Sequence, residues 1–393
     1  MLAPQRTRRP RPGRRLSLAA LAVAALVGAV LPAQAAGTPP APRDKALQRQ
    51  LDQLVARSDG PPGVIALLRD GHRTVVYRAG VADTETRRPP NPYDHMRLAS
   101  VSKAYSGAVA LSLVDRRRLR LDETIGERLA TLSAAWHHVT LRQLLNHTSG
   151  LPDYSRAPEF LKIVIADPHH RFDSRKLLDF VADKVLAFKP GSQYAYSNSD
   201  NIAVALMAEA ATGLRYERLL ERLVYEPLRL RHTSLPQGFR LPGPALHGYD
   251  VSPTEPPVDV SELLSGSGVW ASGAAVATSN DLTRFIRGYA GGRLLSERTR
   301  DQQLRFVPGA SEPAGPGTNA AGLAIFRYRT RCGTVYGHTG NTPGYTQLAA
   351  ATADGKRSPT FSISTQTSKD VRPALLARVR AVQENFVCAL LRR

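Results

Sequence analysis

Arg97-Leu98-Ala99-Ser100-Val101-Ser102-Lys103 opens an apolar run, Ala104–Asp115, whose periodicity predicts a helix. A Ser and a Lys three apart on a helix lie on one face, so the Lys103 amine can reach the Ser100 hydroxyl. A nucleophilic serine needs a base beside it, and a lysine serves once desolvation brings its pKa toward neutrality. The chain has eight Lys, and only Lys103 has Ser three positions before it. Such a pair is expected about once or twice by chance in a chain of this length. The stretch therefore gains its weight from what accompanies it.

Pro190-Gly191-Ser192-Gln193-Tyr194-Ala195-Tyr196-Ser197-Asn198 also precedes a helical run. A tyrosine and an amide two apart project from one loop, the phenol as proton carrier and the amide as substrate donor. By itself the stretch reads better as a surface loop with a half-buried Tyr. Tyr336-Gly337-His338-Thr339-Gly340 ends a β-rich run in small residues that let a ligand approach the backbone. A lone histidine there is more often structural.

Taken in the order S-x-x-K, Y-x-N, H-x-G, the three stretches resemble the active-site motifs of the penicillin-recognising serine enzymes, the superfamily of serine β-lactamases and DD-peptidases. The nearest resemblance is to serine D-alanyl-D-alanine carboxypeptidases related to class C β-lactamases. Leu144-Leu145-Asn146-His147-Thr148-Ser149-Gly150-Leu151-Pro152, Glu226-Pro227-Leu228 with His232-Thr233-Ser234, and Thr278-Ser279-Asn280-Asp281-Leu282 extend it over roughly residues 45–390.

The resemblance implies roles residue by residue. Ser100 is the expected acylated nucleophile, Lys103 assists its deprotonation, and Tyr196 shuttles the proton to the leaving amine. Asn198 is expected to bind the substrate amide. His338, Thr339 and Gly340 line the strand that meets the substrate backbone and carboxylate, and the backbone N–H groups of Ser100 and Asn341 form the oxyanion hole. Ser199-Asp200-Asn201 offers a rival register for the second motif; the Pro-Gly before Tyr196 and the helix after it favour Tyr196. His338 is neutral over much of the working range, so carboxylate binding calls for another cation, with Arg327, Arg329 and Arg331 on the preceding segment.

The expected fold class is α/β in the α+β sense, β-lactamase/transpeptidase-like, a mainly antiparallel sheet flanked by helices plus an inserted, mostly helical lobe. Periodicity agrees with it. Apolar positions at helical spacing after Asp44 are followed by Val64–Leu68 and Thr74–Tyr77 around Asp70-Gly71, and Tyr345–Ala351 and Phe361–Thr365 flank Asp354-Gly355. A closing helix carries Leu375, Val379, Val382, Phe386 and Leu390. The division expected is a signal peptide 1–35, a linker 36–44 and one catalytic domain 45–393. Its sheet lobe takes about 45–100 and 291–393, its helical lobe about 101–290.

Among 393 residues, 53 Lys plus Arg face 33 Asp plus Glu, a formal net charge of +20, with 42% apolar residues and two Cys. An ordinary apolar fraction excludes disorder, collagen and a disulfide-stapled miniprotein. The charge invites a nucleic-acid reading, but six of the positive residues are Arg6, Arg8, Arg9, Arg11, Arg14 and Arg15, ahead of the apolar run Leu16–Leu31 and Ala33-Gln34-Ala35. Basic, apolar and small-residue regions in that order read as a secretory signal cut after Ala35. Arg14-Arg15 also allows a twin-arginine signal. Removal leaves +14 on a secreted, extracellular chain, free to associate with an anionic cell envelope and without an integral membrane span. Nucleic acid is not expected there.

In that compartment Cys332 and Cys388 are expected to pair, with two buried thiols as the alternative. No cofactor and no metal is expected: His137-His138 and His169-His170 are adjacent pairs, unlike the i, i+4 ligands of H-E-x-x-H. The ligands expected are peptidoglycan peptides or β-lactams, and the chain is expected to be a monomer. The leading activity is D-alanyl-D-alanine carboxypeptidase on peptidoglycan stem peptides. A class C-like β-lactamase, an esterase or D-amino-acid amidase, and a non-enzymatic penicillin-binding sensor or envelope-binding paralogue are the alternatives.

Overall fold

The computed structural model describes residues 42–392. The signal peptide expected at 1–35 and most of the linker expected at 36–44 lie outside them. Helix α1 (Pro42–Val55) begins inside the stretch read as linker, with proline at a first-turn position where its missing N–H goes unused. The other helices that cover the sheet or hold the site are α2 (Ser102–Asp115), α3 (Asn198–Thr212), α4 (Ser279–Ala290) and α5 (Pro373–Leu391).

Eight strands form the main sheet: β1 (Gly63–Asp70), β2 (Arg73–Gly80), β3 (Val307–Pro308), β4 (Thr318–Ala321), β5 (Phe326–Thr330), β6 (Gly333–Thr342), β7 (Tyr345–Ala351) and β8 (Arg357–Ile363). Their order is β2-β1-β8-β7-β6-β5-β4-β3, with every neighbouring pair antiparallel. Strands far apart in sequence meet near one edge of the sheet, where β1 pairs with β8 from Val64↔Ile363 to Asp70↔Arg357. Both Asp-Gly signals are turns, with Gly71 at φ +54° and Gly355 at +65°. The short β3 and β4 were not anticipated; Thr-Asn-Ala-Ala in β4 carries little β-propensity.

The apolar run of β1 is nearly continuous because helices cover both of its faces. Val64, Ala66 and Leu68 pack in one cluster with Leu47, Leu51 and Leu54 of α1 and Leu375, Val379 and Phe386 of α5. Ile65 and Leu67, on the opposite face by strand alternation, join the cluster that contains Phe285 and Ile286 of α4. Helix α2 is buried on every side from Ser102 to Leu113, as expected of a helix apolar all round. The centre of the chain is mostly helical, yet a small sheet of His95–Arg97, Val276–Thr278 and Thr233–Ser234 runs through it. Where a helix was read at 177–185, a 3-10 helix covers Ser174–Val181.

A disulfide joins Cys332, in the turn between β5 and β6, to Cys388 of α5, with Cα atoms 5.1 Å apart. Among the described residues, no helix is long and apolar enough to cross a membrane.

Candidate active site

Ser100 lies in a 3-10 turn, Ala99–Val101, that leads straight into α2. Ala99 sits at φ +49°, a left-handed conformation that an alanine adopts only where its surroundings impose it. The imposing neighbour is β6. A Cβ on Gly340 would lie 2.2 Å from the Leu98 carbonyl oxygen and 3.2 Å from the Ser100 nitrogen, so only glycine allows the strand to pass this close.

Helix spacing brings Lys103 under the turn. Its Nζ lies 3.2 Å from Ser100 Oγ, 2.7 Å from Asn198 Oδ1 and 2.8 Å from the Ser272 carbonyl oxygen. Three acceptors match the three donors of an ammonium. Burial pulls the Lys103 pKa from 10.5 to about 7, against the opposing pull of Asp153, Glu312 and Asp200. An amine poised there is a competent base for the Ser100 hydroxyl at neutral pH.

Tyr196 stands on the other side of Lys103, whose Nζ is 4.9 Å from the ring centroid. Burial drives the phenol well above its ordinary pKa, and the nearby Ser100 hydroxyl opposes that rise. The buried Tyr196 hydroxyl is left without a hydrogen-bond partner.

Asn198, the first residue of α3, is committed on both sides. Its Oδ1 accepts from Lys103, and its Nδ2 donates to Asp153 Oδ2 at 3.1 Å and Ser155 Oγ at 3.0 Å. The rival triplet turns elsewhere: Ser199 Oγ donates to the Pro152 carbonyl and Asn201 Nδ2 to Ser106 Oγ. The structure thus brings Tyr196 and Asn198, and not Ser199 and Asn201, to Ser100 and Lys103.

Strand β5 stops pairing with β6 at Gly337, so His338–Thr342 is bonded on the β7 side alone. His338 is buried and packs its ring edge against Phe326 at 5.0 Å, and its Nδ1–H donates to the Thr339 carbonyl. Burial holds its pKa at about 3, with Lys103 and His147 adding to the effect, so the imidazole is neutral. The Thr339 hydroxyl donates to the Pro313 carbonyl at 2.6 Å, which seats Glu312 beside the motif. Asn341 leaves its side-chain oxygen buried without a partner.

No cation reaches this strand from the arginines of β5 and its turn. The Arg327 guanidinium lies over the Phe306 ring, Arg331 pairs with Glu384 of α5, and Arg329 is exposed. The charges that act on the Lys103–Tyr196 centre are instead carboxylates, Asp153 and Glu312.

Sequence reasoning missed Asp153, Ser155, Glu312, Asp200 and the Ser272 carbonyl. Asp153 follows directly on the Leu144–Pro152 stretch and was within reach. A backbone carbonyl leaves no mark in a sequence, and Glu312 comes close only through the fold.

Comparison with known proteins gives a consistent picture. The Beta-lactamase family model matches residues 47–383. A D-aminopeptidase of Gluconobacter oxydans is 27% identical over 206 residues, 52% of this chain and 38% of the relative. Penicillin-binding protein 4* of Bacillus subtilis is 22% identical over 330 residues, 80% of this chain and 70% of the relative. The chain thus matches well under half the length of the D-aminopeptidase. Among solved structures, a D-stereospecific amidohydrolase from Streptomyces sp. superposes with a TM-score of 0.72 at 28% identity, over 82% of this chain and 94% of that one.

Proposed function

The chain belongs to the beta-lactamase family of serine hydrolases, and on that premise we propose that it is an acyl-enzyme amidohydrolase taking D-amino-acid amides or short peptides by a free N-terminal amine. The observation that carries this reading is the sign of the charge around the nucleophile. Asp153 and Glu312 act on Lys103 and Tyr196, while His338 is neutral and Arg327, Arg329 and Arg331 are engaged or exposed elsewhere. A substrate ammonium is complementary to that field. A terminal carboxylate, as on a D-Ala-D-Ala peptide, meets two like charges. The D-aminopeptidase and D-stereospecific amidohydrolase relatives support the same choice over the carboxypeptidase that the H-x-G motif favours.

In this reading neutral Lys103 takes the Ser100 proton as Oγ attacks the substrate carbonyl carbon. The backbone N–H groups of Ser100 and Asn341 hold the oxyanion. Tyr196 passes a proton to the leaving nitrogen, the C–N bond breaks, and an ester remains on Ser100. A water, losing its proton to the same groups, then attacks the ester carbonyl and returns Oγ its proton. The basic leader and the Cys332–Cys388 bridge support a place outside the cytoplasm, where disulfides persist.

Four substrates test the reading side by side: a D-amino-acid p-nitroanilide, its N-acetyl derivative, a diacyl-Lys-D-Ala-D-Ala peptide and a chromogenic cephalosporin. Preference for the free amine over its acetylated form supports the proposal. Faster release of D-Ala from the diacylated peptide marks a carboxypeptidase, and faster cephalosporin turnover marks a lactamase; either result overturns it.

A further inference from the structure

Beside Tyr196 lies a buried pair with no part in the mechanism above. His147 Nδ1 and Asp200 Oδ2 are 2.7 Å apart, and Asp200 Oδ1 accepts from Ser149 Oγ. His147 and Asp200 are both almost wholly removed from solvent. The His147 ring lies 4.4 Å from the Tyr196 ring, centroid to centroid, with an interplanar angle of 35°. His147 sits at φ +58°, a conformation that a histidine holds only when its surroundings over-determine it. Those surroundings include the second motif itself: the His147 carbonyl accepts from the Ala195 N–H at 2.9 Å.

We propose that His147 and Asp200 are positioning residues for Tyr196. Asp200 holds the imidazole by its Nδ1 edge, and the imidazole packs against the phenol ring, keeping its hydroxyl toward Ser100. The proposal rests on the reading of Tyr196 as the proton carrier. A proton lies between Oδ2 and Nδ1, because neither a bare carboxylate nor an imidazolium is tolerated alone at this depth. Burial, with Lys103 adding, keeps the His147 pKa at about 3, and burial raises that of Asp200 well above 3.8. The titratable groups facing the pair are Lys103 of α2, Asp153 of the preceding loop, Tyr194 and Tyr196 of the second motif, Glu312 ahead of β4 and His338 of β6. The pair is therefore a buried support set among titratable groups, one that fixes the phenol by packing.

Asp200→Leu keeps the bulk but removes both the bond from Ser149 and the tether to Nδ1, and His147→Phe keeps the ring face without the tether. With a D-amino-acid p-nitroanilide, each is expected to lower kcat about 10- to 100-fold, the range of a slightly misplaced reacting group. KM should stay within about twofold, since neither residue meets substrate, and the pH–kcat profile should shift. A folded variant with the wild-type kcat and profile overturns the proposal, and so does one that changes KM alone. Tyr196→Phe is the control. If it turns over at the wild-type rate, the reading of Tyr196 fails and the proposal with it; if it is slow while both variants are fast, the proposal alone fails. Should the variants not fold, ¹⁵N NMR of the wild-type imidazole decides. A ring that resists protonation below pH 5 supports the buried pair, and one that titrates freely near about 6.5 overturns it.

Discussion

The Lys103 ammonium donates to Asn198 Oδ1 at 2.7 Å, a bond that joins the first turns of α2 and α3 across 95 residues of chain. Because Asn198 is itself held by Asp153 and Ser155, the amine cannot turn away from Ser100. The charge of the residue at position 198 therefore sets the proton affinity of the base. Asn198→Asp puts a carboxylate against Lys103 and is expected to raise its pKa by about one unit or more. A base must be unprotonated, so the acid limb of the kcat/KM profile, expected near pH 7 in the wild type, should move to higher pH. Asp153→Asn removes the largest acidic influence and moves the limb the other way. A pH–rate series checks both signs.

Lys103 is also costly to hold. Its folded-state pKa lies below its unfolded value, so the unfolded chain binds the extra proton between about pH 7 and 10.5, and stability rises with pH through that window. Lys103→Met removes this dependence along with activity. The stability of the variant relative to the wild type should be most favourable at pH 7 and below and decline toward pH 10. Thermal melts across that range test the sign; a difference that is flat with pH contradicts it.

Gly340→Ala drives a methyl into the Leu98 carbonyl. Overpacking of this kind costs about 1–3 kcal/mol, and relief requires β6 or the Ser100 turn to move. Acylation of Ser100 should fall at least about 100-fold, since small misplacements at a reacting centre are that expensive. Intact-protein mass spectrometry of the acyl-enzyme measures it.

Glu312 tests the charge argument directly. Glu312→Gln should raise KM for a free-amine substrate about two- to fivefold, as loss of an exposed charge contact does, and leave KM for the N-acetyl form unchanged. Equal effects on both substrates would remove Glu312 from amine recognition.

The disulfide should matter for stability alone. It closes a 56-residue separation, worth about 4 kcal/mol in the chain-entropy model. Cys332 lies at the start of β6, about 20 Å along the strand from His338 at ordinary strand rise. Cys332→Ser with Cys388→Ser should lower Tm and leave kcat as it was.

Much of the fold and of the site is legible in the sequence. Residue pairs three or two apart, Ser100 with Lys103 and Tyr196 with Asn198, meet because helix and loop geometry act over short distances. The Asp-Gly turns and the stripe of α5 were readable for the same reason. Missing were the groups that give the site its charge. Glu312 is seated by the bond from Thr339 to Pro313, and Asp200 reads from sequence as part of a rival motif until the helix turns it inward to His147. The charge preference of the site arises from tertiary contacts, and short motifs do not encode those.

The antiparallel match of Val64 to Ile363 has a temporal consequence. This pair cannot exist until the chain has been made through residue 363, because β1 is the first strand of the main sheet to be synthesised and β8 the last. A sheet that depends on such distant partners forms slowly and all together. Ser100, Lys103 and Tyr196 are translated well before β6 and β8, yet the strand that presses the nucleophile's turn into shape has no scaffold until then. The nascent chain thus carries its reactive residues in an unassembled, silent form. Hydrolytic competence arrives only once β8 has been made.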